Sequence, residues 1–329
     1  MSLKNFFNEI SGIKVIIVGD VMIDSYVFGD IERNSPEAPV PIVNVNYKEK
    51  RIGGAANVAI NIKSLGGIPY LCSCVGKDQE GKNFIELLKK NNLSNSSIII
   101  DSKKKTTIKE RVIVNNKHIL RVDDENTENI SKIVQNKLIL IIKKLVKECN
   151  LLIFQDYNKG ILTKDFINQI INFSKNKIKI TVDPKYENFN SYKNIDLLKP
   201  NLLEACQGLK LDYKKITNNK LGIAAQKYLV KNKIKCIMIT MSENGILIID
   251  ENNINHYKTF SNKIVDVSGA GDTVISVASI CFCMSIPTNF LGYFSTLAGT
   301  MVCQTSGVIP INKKKLFREA IKNDLDKYL

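Results

Sequence analysis

The chain has 329 residues, 47 Lys and Arg against 32 Asp and Glu for a net charge of +15, and 44% hydrophobic residues. That length suits one large α/β unit with an ordinary core, and no apolar run is long enough to cross a bilayer. The basic excess is spread through Lys/Asn/Ile-rich stretches such as 102–109 and 230–235, without an arginine-rich, aromatic-interleaved stripe, so it argues against a nucleic-acid partner and for a mild field that attracts anionic substrates.

From the N-terminus, the first ten residues contain charges and no signal-peptide core, so a cytoplasmic protein is expected. Lys14–Val18 is a buried strand of β-branched residues ending at Gly19-Asp20. Val40–Val45 follows Ser35-Pro36-Glu37-Ala38-Pro39 and alternates like an exposed strand. Ala55–Leu65 has apolar residues at helical spacing and stops at Gly66-Gly67. Tyr70–Val75 is a strand, with a helix near 80–92. Residues 107–122 form a hairpin turning at Asn115-Asn116. A long amphipathic helix spans Ile130–Glu148.

Leu151–Phe154 is a strand ending in Gln155-Asp156-Tyr157, a helix covers about 164–175, and the strand Ile178–Val182 ends at Asp183-Pro184-Lys185. Ile195–Leu198 runs into Lys199-Pro200, and Asn201 opens a helix. Ile234–Thr240 and Ile246–Ile249 are strands. Helices follow Asp272, near 290–304 and at 313–328. Repeated βα units predict a mostly parallel sheet with helices on both faces. Val40–Val45 and the 107–122 hairpin break that rhythm, and both belong to a small β lid whose apolar face also offers a homodimer surface. The eight cysteines include no C-x-x-C pair, and His118 and His256 lie far apart. Buried reduced thiols are therefore expected rather than a metal centre.

Residues 266–273, Asp-Val-Ser-Gly-Ala-Gly-Asp-Thr, carry the most chemistry. A turn of Gly269, Ala270 and Gly271 at a helix start aims several backbone N–H groups at one point, where the helix dipole adds to them. Small residues let an anion approach closely. Asp272 then stands at the edge of an anion hole, placed to take a proton from a nucleophile, as phosphoryl transfer to an alcohol requires. Asp20, Asp24, Asp156, Asp183 and Lys185 fall at strand ends, the edge where doubly wound sheets bind ligands. Lys185 is placed to pair with a phosphate. Lys109 and Arg111 share one face of a lid strand by their i, i+2 spacing. Asn201 and Glu204 share a helix face.

Together these residues resemble the ribokinase (PfkB) family of carbohydrate kinases over roughly residues 12–312. Gly53-Gly54-Ala55-Ala56-Asn57-Val58 resembles its N-terminal signature and Asp266–Asp272 its C-terminal one. Asn201-Leu202-Leu203-Glu204 resembles its N-x-x-E motif, and Thr240–Gly245 the strand-turn beside the nucleotide. Gly19–Tyr26, Arg33–Pro41, Leu120–Asp123, Asp156–Gly160 and Val182–Lys185 resemble the family's heptose 7-phosphate kinase branch.

The resemblance implies a ribokinase-like three-layer α/β/α fold with a mostly parallel central sheet. It implies one kinase domain over 1–329, with lid segments near 21–50 and 105–123. It also implies ATP-dependent phosphorylation of the anomeric hydroxyl of D-glycero-D-manno-heptose 7-phosphate, on the route to ADP-heptose and lipopolysaccharide core. Asp272 is the implied base, with Gly269, Ala270 and Gly271 as amide donors. Asp24, Gly53, Gly54, Asn57 and Asp156 fall to the sugar, Lys109 and Arg111 to its 7-phosphate, and Lys185, among the substrate-binding residues, to a phosphate. Asn201, Glu204, Ser242 and Gly245 fall to ATP, with Glu204 meeting Mg²⁺ through water.

The alternatives are a fructose or ribose kinase of the same family, or a non-catalytic sugar-binding protein. The latter has no need of a base at Asp272. Ser268 stands where threonine is usual and Gln155 where a small residue is common. Many relatives carry a second, nucleotidyltransferase half with an H-x-G-H motif. Neither histidine fits that motif, so adenylyl transfer is expected to belong to another protein.

Overall fold

In the computed structural model the structure describes residues 1–115, 117–260, 264–305 and 307–329. Asn116, half of the expected hairpin turn, lies outside the described residues. The chain opens with α1 (Leu3–Glu9), β1 (Lys14–Gly19), β2 (Val21–Asn34), β3 (Pro41–Gly54) and α2 (Ala55–Leu65). It continues through β4 (Ile68–Gly76), α3 (Gln79–Lys90), β5 (Ile98–Asp101), β6 (Thr107–Val114), β7 (Lys117–Asp124) and α4 (Lys132–Leu145). Next come β8 (Leu151–Gln155), α5 (Lys164–Ser174), β9 (Lys179–Asp183), β10 (Leu197–Leu198), α6 (Leu202–Leu209) and α7 (Asn218–Asn232). The last elements are β11 (Cys236–Thr240), β12 (Ile246–Ile249), β13 (Ile254–Tyr257), α8 (Ala270–Cys283), α9 (Thr288–Cys303) and α10 (Lys313–Lys322).

Nine strands make the main sheet in the order β13-β12-β11-β10-β9-β8-β1-β4-β5. Every pairing from β5 to β11 is parallel, and β12 and β13 add an antiparallel edge. The unbroken apolar run of β1 follows from burial on both faces. Val15 and Ile17 enter a core with α1, α2, α3, α8, α9 and α10. Ile16 and Val18 enter a second core with α4, α5, α6 and α7. The three-layer α/β/α architecture expected from the βα rhythm is present. A second sheet, β3-β2-β6-β7, stands apart from the nine strands. It joins the two 14-residue strands β2 and β3 to the hairpin of β6 and β7.

Several expected boundaries differ. The long helix is α4, shorter at both ends than 130–148, because Ser131 caps its start by accepting the Val134 N–H. The C-terminal helix stops at Lys322, where Asp324 takes a left-handed φ of 52° before a short 3₁₀ turn. Ile195–Leu198 contracts to the two residues of β10, and the strand from 234 begins at Cys236. Helix α8 starts at Ala270, so Asp272 lies within its first turn. Five elements went unread: α1, β2, β5, α7 and β13. Helix α7 ends on Lys233 in the left-handed conformation (φ 54°), without the glycine that usually announces such an end.

Candidate active site

The carboxyl ends of β1, β8, β9 and β10 meet the N-terminus of α8. Strand β1 delivers Asp20, whose buried carboxylate accepts the backbone N–H groups of Tyr157 (3.2 Å), Lys159 (3.0 Å) and Ile161 (3.1 Å). It thereby holds the 157–161 loop, which positions Tyr157. Strand β8 delivers Gln155, β9 delivers Asp183, and the residue after β10 is Lys199.

Asp272 sits in the middle of this group with 6% of its surface exposed. Its Oδ2 accepts from Asn57 Nδ2 of α2 at 2.7 Å. Its Oδ1 accepts from the Tyr157 hydroxyl at 2.7 Å and from Gln155 Nε2 at 3.0 Å. Burial pushes its pKa up from 3.8 to about 7. The Asn57 and Tyr157 hydrogen bonds and Lys199 oppose that rise, while Asp183 adds to it. Removing water from a carboxylate disfavours its charged form, and here three donors do not fully replace the water.

The turn before Asp272 has the expected character. Gly269 caps α8 with φ +75°, and a Cβ there would lie 2.9 Å from Asn57 Nδ2. Glycine is thus required both by conformation and by the approach of Asn57. The Ala270 N–H is used, donating to Val267 C=O at 3.2 Å. Among the described residues the N–H groups of Gly269, Gly271 and Asp272 make no hydrogen bond. They are the donors an anion meets at this helix end.

A cleft of about 320 Å³ opens over this turn. Gly269, Ala270, Gly271 and Asp272 line it, together with Asp156, Lys185, Asn201, Glu204, Ser242 and Gly245. Asn201 and Glu204 form a capping box: Asn201 Oδ1 accepts the Glu204 N–H at 2.8 Å, and Glu204 Oε2 accepts the Asn201 N–H at 2.9 Å. The other Glu204 oxygen pairs with Lys185. Burial works against the Lys185 charge, but Glu204 and Asp183 outweigh it and hold its pKa above the ordinary value. Lys185 therefore stands on the Glu204 side of the cleft. Lys199, 2% exposed, pairs with Asp183 at 3.0 Å beneath Gly271. Burial raises the Asp183 pKa, and Lys199 counters it.

Asp156 lines the same cleft, but its oxygens accept from Asn158 N–H (2.8 Å), Asn188 Nδ2 (3.0 Å) and the Tyr192 hydroxyl (2.8 Å). Burial and the nearby Asp20 push its pKa up to about 6. In this arrangement it braces the loop after β8.

Asp24, Gly53, Gly54, Lys109 and Arg111 gather where β2, β3 and β6 pair. Arg111 Nη1 donates to Asp24 Oδ1 at 2.5 Å, and a Cβ on Gly53 would lie 2.2 Å from Asp24 Oδ2. Tyr26, fully buried, lies beneath the guanidinium groups of Arg51 and Arg111, whose Cζ atoms are 4.9 Å and 5.5 Å from its ring centre. Lys109 is held by Asp123 at 2.8 Å and Glu125 at 3.6 Å. The lid cations are thus already balanced by lid carboxylates.

Sequence reasoning assigned no role to Gln155, Tyr157 and Lys199. The signal was present in their strand-end positions, but polar strand ends alone do not show which group faces Asp272. Among the described residues no three His, Cys, Asp or Glu side chains converge as a metal centre. Glu204, at the edge of the cleft, is the carboxylate that fits a hydrated divalent cation, which keeps most of its water and needs few protein ligands.

Residues 13–315 match the description "pfkB family carbohydrate kinase". The chain is 35% identical over 297 residues to the bifunctional protein HldE of Helicobacter pylori (strain G27), covering 89% of this chain and 63% of that protein. It is 36% identical over 292 residues to the bifunctional protein HldE of Aliarcobacter butzleri (strain RM4018), covering 88% and 60%. The chain therefore spans about three-fifths of the length of these curated relatives. The tetrameric inhibited form of phosphofructokinase-2 from Escherichia coli superposes with a TM-score of 0.77 at 17% identity, covering 93% of this chain and 98% of that one. Arabidopsis thaliana ribokinase complexed with ribose and ATP gives 0.70 at 16% identity, covering 93% and 99%. These two likenesses establish the ribokinase-like fold.

Proposed function

The chain belongs to the pfkB family of carbohydrate kinases and is an ATP-dependent sugar kinase, and from that premise we propose that it phosphorylates the anomeric hydroxyl of D-glycero-D-manno-heptose 7-phosphate. The observation that carries the chemistry is Asp272: a buried carboxylate beside unpaired helix-start amides, at the floor of the cleft, with a pKa of about 7. A base is most effective when its pKa lies near the working pH.

In the proposed step the anomeric oxygen attacks the γ-phosphorus while its proton passes to Asp272. The bond from that phosphorus to the β–γ bridging oxygen breaks, and ADP leaves with the electron pair. The amides of Gly269, Gly271 and Asp272 stabilise charge on the migrating phosphoryl group. Asn57 holds Asp272. Asp24, Gly53 and Gly54 cradle the sugar, and Asp156 shapes the loop beside it. Lys109 and Arg111 hold the 7-phosphate, which draws them from their carboxylate partners. Asn201, Glu204, Ser242 and Gly245 flank ATP, and Lys185 and Lys199 neutralise its phosphates. Mg²⁺, held through water by Glu204, would shield the triphosphate charge.

The heptose assignment is supported by the similarity to the HldE proteins over 88–89% of this chain and by the two lid cations. The test is a panel of heptose 7-phosphate, fructose 6-phosphate, fructose and ribose with ATP, read as ADP release. Heptose 7-phosphate is expected to give the highest kcat/KM. A free sugar turned over equally well would refute the assignment.

We further propose a single kinase domain that pairs with a second copy through the lid, where Val45, Tyr47, Ile119, Leu120 and Val122 are exposed. No helix among the described residues is long and apolar enough to cross a membrane, and the proposed site of action is the cytoplasm.

A further inference from the structure

Gln155 has an arrangement that its neighbours do not share. Its side-chain nitrogen donates to two different carboxylates, Asp272 Oδ1 at 3.0 Å and Asp183 Oδ2 at 3.2 Å. Its Oε1 is buried and has no hydrogen-bond partner among the described residues. The residue is 1% exposed. Turning the amide over would place Oε1 against two carboxylate oxygens, which is repulsive. The carboxylates therefore fix the orientation, and the lone oxygen is a consequence of it. A buried acceptor left unmatched is costly. The arrangement persists because β8 and β9 end side by side, with Gln155 opposite Asp183 in the parallel register, and the start of α8 lies over both.

We propose that Gln155 is a positioning residue that ties the base Asp272 to the buried Asp183–Lys199 pair. The inference rests on Asp272 being the base. One amide N–H on each carboxylate sets the Asp272 rotamer and keeps the two acids in separate hydrogen bonds. It transmits the position of Asp183, which lies under Gly271 and beside Lys199 and Lys185, to the oxygen that receives the proton. The groups facing Asp272 are Asn57 from α2, Gln155 and Tyr157 from the end of β8, Asp183 from the end of β9, and Lys199 after β10. Of these only Gln155 touches both acids. A donor on a carboxylate favours the charged form. Loss of that donor raises the pH at which Asp272 becomes available, and a carboxylate in its place raises it further.

The test is the pH profile of kcat for Gln155→Met, which removes the donor, and Gln155→Glu, which keeps the shape and introduces a negative charge. Asp272→Asn is run in parallel. The acidic limb is expected to move up by about one pH unit in Gln155→Met and further in Gln155→Glu. Turnover of Gln155→Met then falls roughly eightfold at pH 6.5 and stays within about twofold of the parent at pH 9. KM for ATP is unchanged. Gln155→Glu preserves volume, so it carries the measurement if Gln155→Met does not fold. A limb unmoved in both variants, or a loss by the same factor at every pH, overturns the positioning role. Near-normal turnover in Asp272→Asn instead overturns the base assignment on which it rests.

Discussion

Asp272→Asn separates catalysis from stability, because the same burial that tunes the base also destabilises the fold. The Asp272 pKa is displaced from 3.8 to about 7. At about 1.4 kcal/mol per pH unit, ionised Asp272 costs the native state about 4 kcal/mol relative to the unfolded chain. The sign follows from linkage. Between pH 4 and 7 the native state holds a proton that the unfolded state has released, so stability falls as pH rises through that window. Asparagine carries no such charge. One donor, Asn57 or Gln155, then faces an N–H in place of an oxygen, which returns about 1 kcal/mol. Asp272→Asn is therefore expected to be about 2–4 kcal/mol more stable than the parent at pH 8. The advantage vanishes below pH 4. Turnover falls about 10²- to 10⁴-fold with loss of the base, while ATP binding is retained. Urea denaturation at pH 4, 6 and 8, beside ADP release under saturating substrates, measures both. An advantage over the parent no larger at pH 8 than at pH 4 would refute the burial argument, and a variant with near-normal turnover the catalytic argument.

For the parent enzyme, kcat is expected to rise with pH around a midpoint near 7, reaching about a tenth of its plateau at pH 6. A profile flat from pH 5.5 to 8.5 contradicts Asp272 as the limiting base. Arg111→Ala is expected to raise KM for a phosphorylated sugar about 10- to 100-fold and to leave KM for ATP unchanged, because Arg111 contacts Asp24 outside the cleft lining. Equal loss on phosphorylated and free sugars counts against a phosphate role. Gly269→Ala forces alanine to φ +75° and pushes a methyl to 2.9 Å from Asn57 Nδ2. The expected cost is about 1–2 kcal/mol in denaturant stability and at least a tenfold loss of kcat, and unchanged kcat removes the turn from the anion site. Glu204→Gln keeps an acceptor for the Asn201 N–H and removes the charge facing Lys185. Stability should change little, whereas the Mg²⁺ concentration for half-maximal activity rises about tenfold. An unaltered magnesium titration speaks against Glu204 as its holder.

Periodicity carried the sheet well because β1 and β8 are buried on both faces and contain little but Val, Ile, Leu and Phe. Helix α2 was read to the residue, since Gly66 ends it with φ 107°. The unread elements lacked such marks. Helix α7 closes on a left-handed lysine, and the four-residue β5 and β13 are too short for a period to emerge. At the site, residues clustered within one turn were legible: the Gly269–Asp272 loop and the Asn201–Glu204 capping box are local events. The partners of Asp272 were not. Asn57, Gln155 and Tyr157 reach it across 215, 117 and 115 residues of sequence separation, and only the order of strands brings them together. The lid pairing of Arg111 with Asp24 depends likewise on β6 lying parallel to β2.

This dependence on strand order explains why Asp272, the proposed base, is buried rather than exposed. A carboxylate at the end of a surface strand keeps its ordinary acidity and gives a weak base at neutral pH. Here α8 is laid across the ends of β8 and β9, which removes the water, and the same contact brings the Asp183–Lys199 pair beneath Gly271. The lysine neutralises one acid and leaves the other to be held by neutral donors. Two acids with different partners therefore sit side by side: Asp183 is paired with a cation, and Asp272 is held by neutral donors, as the proposed base requires. The division of labour between the two carboxylates follows from the crossing of one helix over two strand ends.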